Sequence, residues 1–148
     1  MKKESIKYPY LTKPVEIITF DNGHKLVLCH KKSTMVNIST WVSTGSINEN
    51  NENNGVSHFL EHLMFKGTKR FKAGVFDKTL ERKGGIINAA TWKDYTFYYV
   101  TIPKEHFELA FDMHSDMMID PILPKEEIGS PFDINGIEPD DKRERHVV

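Results

Sequence analysis

Cysteine is almost missing from this chain: of its 148 residues, only Cys29 is one. A lone cysteine excludes an internal disulfide framework and a zinc site built from several thiolates. It lies in the apolar stretch Leu26-Val27-Leu28-Cys29, so packing is its expected role. Charge of one sign is lacking too, with 20 Lys and Arg against 21 Asp and Glu. No basic excess points to a nucleic acid or an anionic membrane as partner. Apolar runs are short, and none nears the roughly 20 residues of a membrane span. Met1 to Lys13 is basic and polar with no apolar stretch behind it. That argues against a secretory signal, so a cytoplasmic location is expected. The many Asn and Lys residues fit a bacterial source. The rest is ordinary: 39% hydrophobic and 28% charged residues suit one globular domain with a sizeable core.

Periodicity gives the elements. Residues 1–14 read as an irregular arm. Val15 to Phe20 and Lys25 to Lys32 read as a hairpin around the turn Asp21-Asn22-Gly23. Met35 to Ser43 alternates Val36, Ile38, Thr40 and Val42 with more polar residues, a strand pattern. Asn48 to Gly55 is a polar loop that leads to a helix over Val56 to Phe65, with Asn54 or Ser57 as its cap. Gly67 closes that helix. A second helix is expected over Phe71 to Lys83, closed by Gly84-Gly85. Ile86 to Thr91 and Tyr95 to Ile102 read as paired strands, and Pro103 ends the second. A third helix spans Glu105 to Ile119, with Phe107, Leu109, Ala110, Met113, Met117 and Met118 on or near one apolar face. Gly129 to Asp141 reads as a surface loop, and Lys142 to Val148 as a new helical start. Hairpins interleaved with helices imply an α+β fold, a largely antiparallel sheet packed against helices.

One pentapeptide carries chemistry: His58-Phe59-Leu60-Glu61-His62, an H-x-x-E-H motif. Helical residues turn by about 100° each, so His62 lies about 40° and Glu61 about −60° from His58. Phe59, Leu60, Leu63 and Met64 fall on the opposite half. Two imidazoles one turn apart are about 6 Å apart at Cβ and can converge on one Zn²⁺. Glu61 leans toward the open side, where a general base for an activated water belongs. By itself, the pentapeptide also fits a solvated, charged helix face. His24, His30, His106 and His114 have no partner at helical spacing and read as surface or packing residues.

The longer run Gly55-Val56-Ser57-His58-Phe59-Leu60-Glu61-His62-Leu63-Met64-Phe65-Lys66-Gly67-Thr68 resembles the zinc helix of the pitrilysin/insulinase family, the inverzincins. Three further stretches resemble the same family in order. They are Leu26 to His30 after the Asn-Gly turn, Gly84-Gly85-Ile86-Ile87-Asn88-Ala89-Ala90-Thr91 with Asp94 to Tyr99, and Glu144-Arg145-His146-Val147-Val148. The family includes the mitochondrial processing peptidases and their bacterial relatives. The resemblance implies a zinc-dependent endopeptidase acting on peptides or unfolded proteins. It also implies that Asn88, Ala89 and Ala90 form an edge strand pairing with the substrate, and that a second homologous domain or subunit closes over the site. The alternative within the family is a non-catalytic peptide-binding or assembly subunit. A lyase class that also uses H-x-x-E-H needs a downstream cysteine ligand, and Cys29 lies upstream.

A catalytic zinc site needs a third protein ligand. In the family it is a glutamate about seven residues after the Glu of the Glu-Arg-x-Val-Val pattern, so it is expected beyond Val148. Residues 1–148 then form the first part of the zinc-binding domain, incomplete and inactive alone. Glu144 matches the family's glutamate behind the ligands. Glu138 is the rival third ligand by raw spacing from His62, but Pro139 and Gly136 make a poor helical setting for it.

Overall fold

The computed structural model describes residues 1–128. The sequence expectations at Glu138 and Glu144, and those for the loop and helix start after Gly129, lie outside the described residues. The chain divides into two compact units, with the break after Thr34.

The first unit is a three-stranded antiparallel sheet of β1 (Lys2–Ile6), β2 (Val15–Thr19) and β3 (Lys25–Leu28), in the order β1-β2-β3. The hairpin forms where the Asn-Gly turn requires it. Gly23 takes φ 86°, and the His24 N–H donates to Asn22 Oδ1. The irregular arm expected at residues 1–14 is corrected, because Lys2 to Ile6 pairs with Val15 to Thr19. All five residues of β1 are exposed, so no apolar alternation marks the strand, and main-chain pairing alone defines it. Cys29 is exposed, which corrects the packing role expected of it. All four residues of β3 are exposed as well, so the apolar stretch from Leu26 to Cys29 forms no buried face.

In the second unit, β4 (Met35–Val42), β5 (Ile86–Thr91) and β6 (Thr96–Pro103) form an antiparallel sheet in the order β4-β6-β5. Tyr98, Val100 and Ile102 of the central strand point into the core, as the period of two dictates. They meet α1 (Val56–Met64), α2 (Val75–Glu81) and α3 (Phe107–Ile119) through Met64, Phe76, Leu80, Ala110, Met113 and Met117. A four-residue α4 (Lys125–Ile128) follows. The architecture is α+β, helices on an antiparallel sheet.

Two apolar faces differ from expectation. On α3 the buried stripe is Ala110, Met113, His114 and Met117, while Phe107 is 41% exposed. One 3₁₀ turn at Lys104–His106 precedes the helix, so Phe107 is its first residue, at the rim. On α1, Leu63 and Met64 are buried but Leu60 is exposed. The second helix is shorter than Phe71 to Lys83, because residues 67–74 form a loop in which Gly67 bridges to Lys72. That loop is tied to α3: Arg70 donates a two-pronged bond to Asp112 at 3.0 and 2.7 Å, and a further bond to Asp116.

Candidate functional site

The site begins with what holds the first turn of α1. Its N-cap is Gly55 at φ 89°, which has no side chain to offer. Instead, the carboxylate of Glu49 reaches back across the Asn-rich loop. It accepts the Gly55 N–H at 2.7 Å and the Ser57 N–H at 2.8 Å. These are amide groups that a helix start leaves unpaired, and the negative charge lies at the positive end of the helix dipole. Hydrogen bonds from Ser57 and Gly55 hold the Glu49 carboxyl below its ordinary pKa. The expectation that Asn54 or Ser57 caps the helix is therefore corrected: Ser57 is itself capped, its N–H donating to Glu49. The loop bends onto itself through Asn side chains, with the Asn50 and Glu52 N–H groups donating to Asn53 and Asn50. Before it, Gly45 is packed so tightly that a Cβ there would lie 2.1 Å from the Trp92 carbonyl oxygen.

One turn into α1, the Nε2 atoms of His58 and His62 lie 3.2 Å apart, with the rings edge to face at 80°. The helix periodicity that groups these residues is realised. Two nitrogens at that separation, each about 2.05 Å from a common point, subtend about 103° there, close to tetrahedral. The donor set fits zinc: two imidazole nitrogens converge in a partly open setting. The same separation also suits an N–H···N bond between neutral rings. Among the described residues, no group of three His, Cys, Asp or Glu side chains gathers around one point.

Glu61 is 8% exposed, and the Thr91 hydroxyl on β5 donates to its Oε2 at 2.5 Å. Its charge is felt in the core: burial first, and then the Glu61 charge, push the Tyr98 phenol up to about 12. α1 packs across β5, which lies at the sheet edge and pairs only with β6 among the described strands. Asn88, Ala89 and Ala90 all lie on it. Asn88 joins Glu61 and His62 in lining a cleft of about 460 Å³, whose other walls include Phe65, Ile87 and Asp77. Ala89 packs inward against the core, and its N–H donates to Asn88 Oδ1 at 2.9 Å.

The Insulinase (Peptidase family M16) model matches residues 25–141. The chain belongs to the insulinase family, peptidase family M16. Among its relatives, an uncharacterised zinc protease of Bacillus subtilis is 39% identical over 131 residues. That match covers 88% of this chain and 29% of the relative. The mitochondrial-processing peptidase subunit beta of Dictyostelium discoideum is 34% identical, over 75% of this chain and 24% of its own length. A crystal structure of a protease from Helicobacter pylori superimposes with a TM-score of 0.72 at 33% identity. It covers 76% of this chain and 27% of that protein. The chain thus spans less than a third of the length of each of these relatives.

For this insulinase-family chain, the sequence pattern missed three groups near the motif. Glu49 and Thr91 act across long separations, six to eight residues and thirty residues respectively, which no local spacing encodes. Asp77, in the first turn of α2, lines the same cleft, and no spacing from the motif announces it.

Proposed function

We propose that this chain is the metal-binding part of a zinc-dependent endopeptidase, with His58 and His62 as two of the ligands and Glu61 as the general base. The observation that carries it is the convergence of the two Nε2 atoms at 3.2 Å beside a buried carboxylate. Bound zinc supplies Lewis acidity: it acidifies water at the site and polarises the scissile carbonyl. Glu61 takes the proton of the attacking water and delivers it to the leaving amine. Thr91 holds Glu61 Oε2, which aims the other oxygen at that water. Asn88, Ala89 and Ala90 receive the peptide as an added strand on the edge of β5, and the incoming backbone competes with Asn88 for the Ala89 N–H. The third ligand comes from outside the described residues, with a glutamate beyond Val148 preferred to Glu138, and Glu144 supports the site from behind. A second homologous domain or subunit completes the chamber. The alternative of a non-catalytic subunit sits less well with an intact histidine pair and an oriented Glu61.

Calorimetric titration tests this reading. The 148-residue chain is expected to bind one zinc ion weakly, with His58→Ala or His62→Ala abolishing binding and Glu61→Gln sparing it. Unchanged binding in both histidine variants overturns the assignment. Peptide hydrolysis by the isolated chain, lost in Glu61→Gln, overturns the proposal that it is inactive alone.

A further inference from the structure

An Asn-Gly bond is especially prone to rearrange in water, because glycine has no side chain to obstruct its own nitrogen. That nitrogen loses its proton and attacks the side-chain amide carbon of the asparagine. Ammonia leaves, and water opens the ring so formed to aspartate or isoaspartate. The chain has such bonds at Asn22-Gly23, Asn54-Gly55 and Asn135-Gly136, the last outside the described residues. Asn22 and Asn54 are both exposed, and their glycines both take positive φ, 86° and 89°. They differ in what holds the glycine nitrogen.

The Gly23 N–H donates to a neutral acceptor, the Phe20 carbonyl oxygen, at 2.9 Å. It sits at the tip of the β2–β3 hairpin, where local opening releases it. Gly55 is held twice. The Val56 N–H donates to the Asn53 carbonyl oxygen at 3.1 Å, closing a turn in which Gly55, at φ 89° and ψ −6°, takes the third place of type II geometry. The Gly55 N–H itself donates to the Glu49 carboxylate at 2.7 Å. The Ser57 N–H, donating to the other oxygen at 2.8 Å, fixes that carboxylate in place. A carboxylate is a stronger acceptor than a carbonyl, and a negative charge against an N–H opposes loss of its proton. Attack on Asn54 therefore waits for Glu49 to move away.

We propose that Asn54 is a spontaneous deamidation site guarded by Glu49, converting to aspartate and isoaspartate only when the carboxylate releases the Gly55 N–H. Water is the one co-reactant. Isoaspartate inserts a methylene into the backbone immediately before the N-cap of α1, and either product sets a second negative charge near Glu49. Both changes loosen the start of the helix that carries His58 and His62. The proposal stands apart from the zinc reading, since it needs neither metal nor substrate.

Peptide mapping by mass spectrometry tests it. The 148-residue chain is aged in mildly alkaline buffer beside synthetic peptides that contain each Asn-Gly bond in its own sequence. In the chain, Asn54 is expected to convert about tenfold or more slowly than in its peptide, the cost of breaking one charge-assisted hydrogen bond. Asn22 is expected to be the less slowed of the two. Glu49→Ala is expected to bring Asn54 close to its peptide rate and to leave Asn22 unchanged. Conversion of Asn54 in the parent chain as fast as in the peptide overturns the proposal. So does equal slowing at both sites, or an unchanged Asn54 rate in a Glu49→Ala chain whose circular dichroism shows it folded. In a variant that unfolds, amide exchange at Gly55 of the parent chain decides. Exchange and attack both need the N–H released, so protection that matches the slowing at Asn54 supports the guard, and rapid exchange overturns it.

Discussion

Two ring nitrogens 3.2 Å apart on an exposed helix face are a small feature, but they sit where the helix period puts them. His58, Glu61 and His62 were legible because 100° per residue fixes side-chain directions without any tertiary information. Thr91 was not, because a hydroxyl thirty residues away reaches Glu61 only after β5 has docked. His114 shows the same limit. Sequence spacing left it as surface or packing, and the structure buries it at 3% exposure with Nε2 2.8 Å from Thr40 Oγ1. Nδ1 has no partner among the described residues, and burial holds the imidazole pKa below its ordinary value. The neutral ring is thus the folded form. Below pH ~6.5 the unfolded chain takes up a proton that the folded chain refuses, so stability falls as pH drops through that point. Denaturant melts of the metal-free chain between pH 7.5 and 5 are expected to show this loss, and His114→Gln to flatten it. An unchanged slope in the variant contradicts the assignment.

At the scale of the element, α1 owes its start to Glu49 rather than to a residue of its own. The folded pKa of Glu49 is depressed, so its contribution is present above the ordinary carboxylate value of about 4.3 and is lost as pH falls through the lower folded value. Glu49→Gln is expected to lower the melting temperature at pH 7, with the difference closing in acid, and to weaken zinc binding because His58 lies in the first turn. Equal melting of variant and parent at pH 7 counts against the cap. The paired strands β5 and β6, with Pro103 at the end of β6, were readable from alternation, and the α3 core from the 3.6-residue period. The start of α1 at Val56 was readable as well, but its cap was not, nor was the start of α2, since both helices open on glycines at positive φ, Gly55 and Gly74, with no side-chain cap to announce them. β1 escaped because an edge strand that buries nothing carries no hydrophobic pattern.

On the scale of the whole molecule, the two units differ in what they bury. The second has a continuous core from Met64 to Met117. In the first, Val15 is the one buried hydrophobic residue, while Phe20, Leu26, Val27 and Leu28 are exposed. A three-stranded sheet with so small a core of its own is marginal. Amide hydrogen exchange is therefore expected to be faster across β2 and β3 than across β6 by orders of magnitude; equal protection contradicts this. No described helix is long and apolar enough to cross a membrane. The family was legible in three ordered stretches, Leu26 to His30, Gly55 to Thr68 and Gly84 to Tyr99, which all fall within the matched residues 25–141. What those stretches leave open is whether the histidine pair grips a metal, and zinc K-edge X-ray absorption on the zinc-loaded chain answers that directly. The expected spectrum has two imidazole shells with Zn–N near ~2.0–2.1 Å, both lost when His58 and His62 are replaced by Ala. A spectrum without imidazole scattering, or one unchanged by that double substitution, contradicts the metal site.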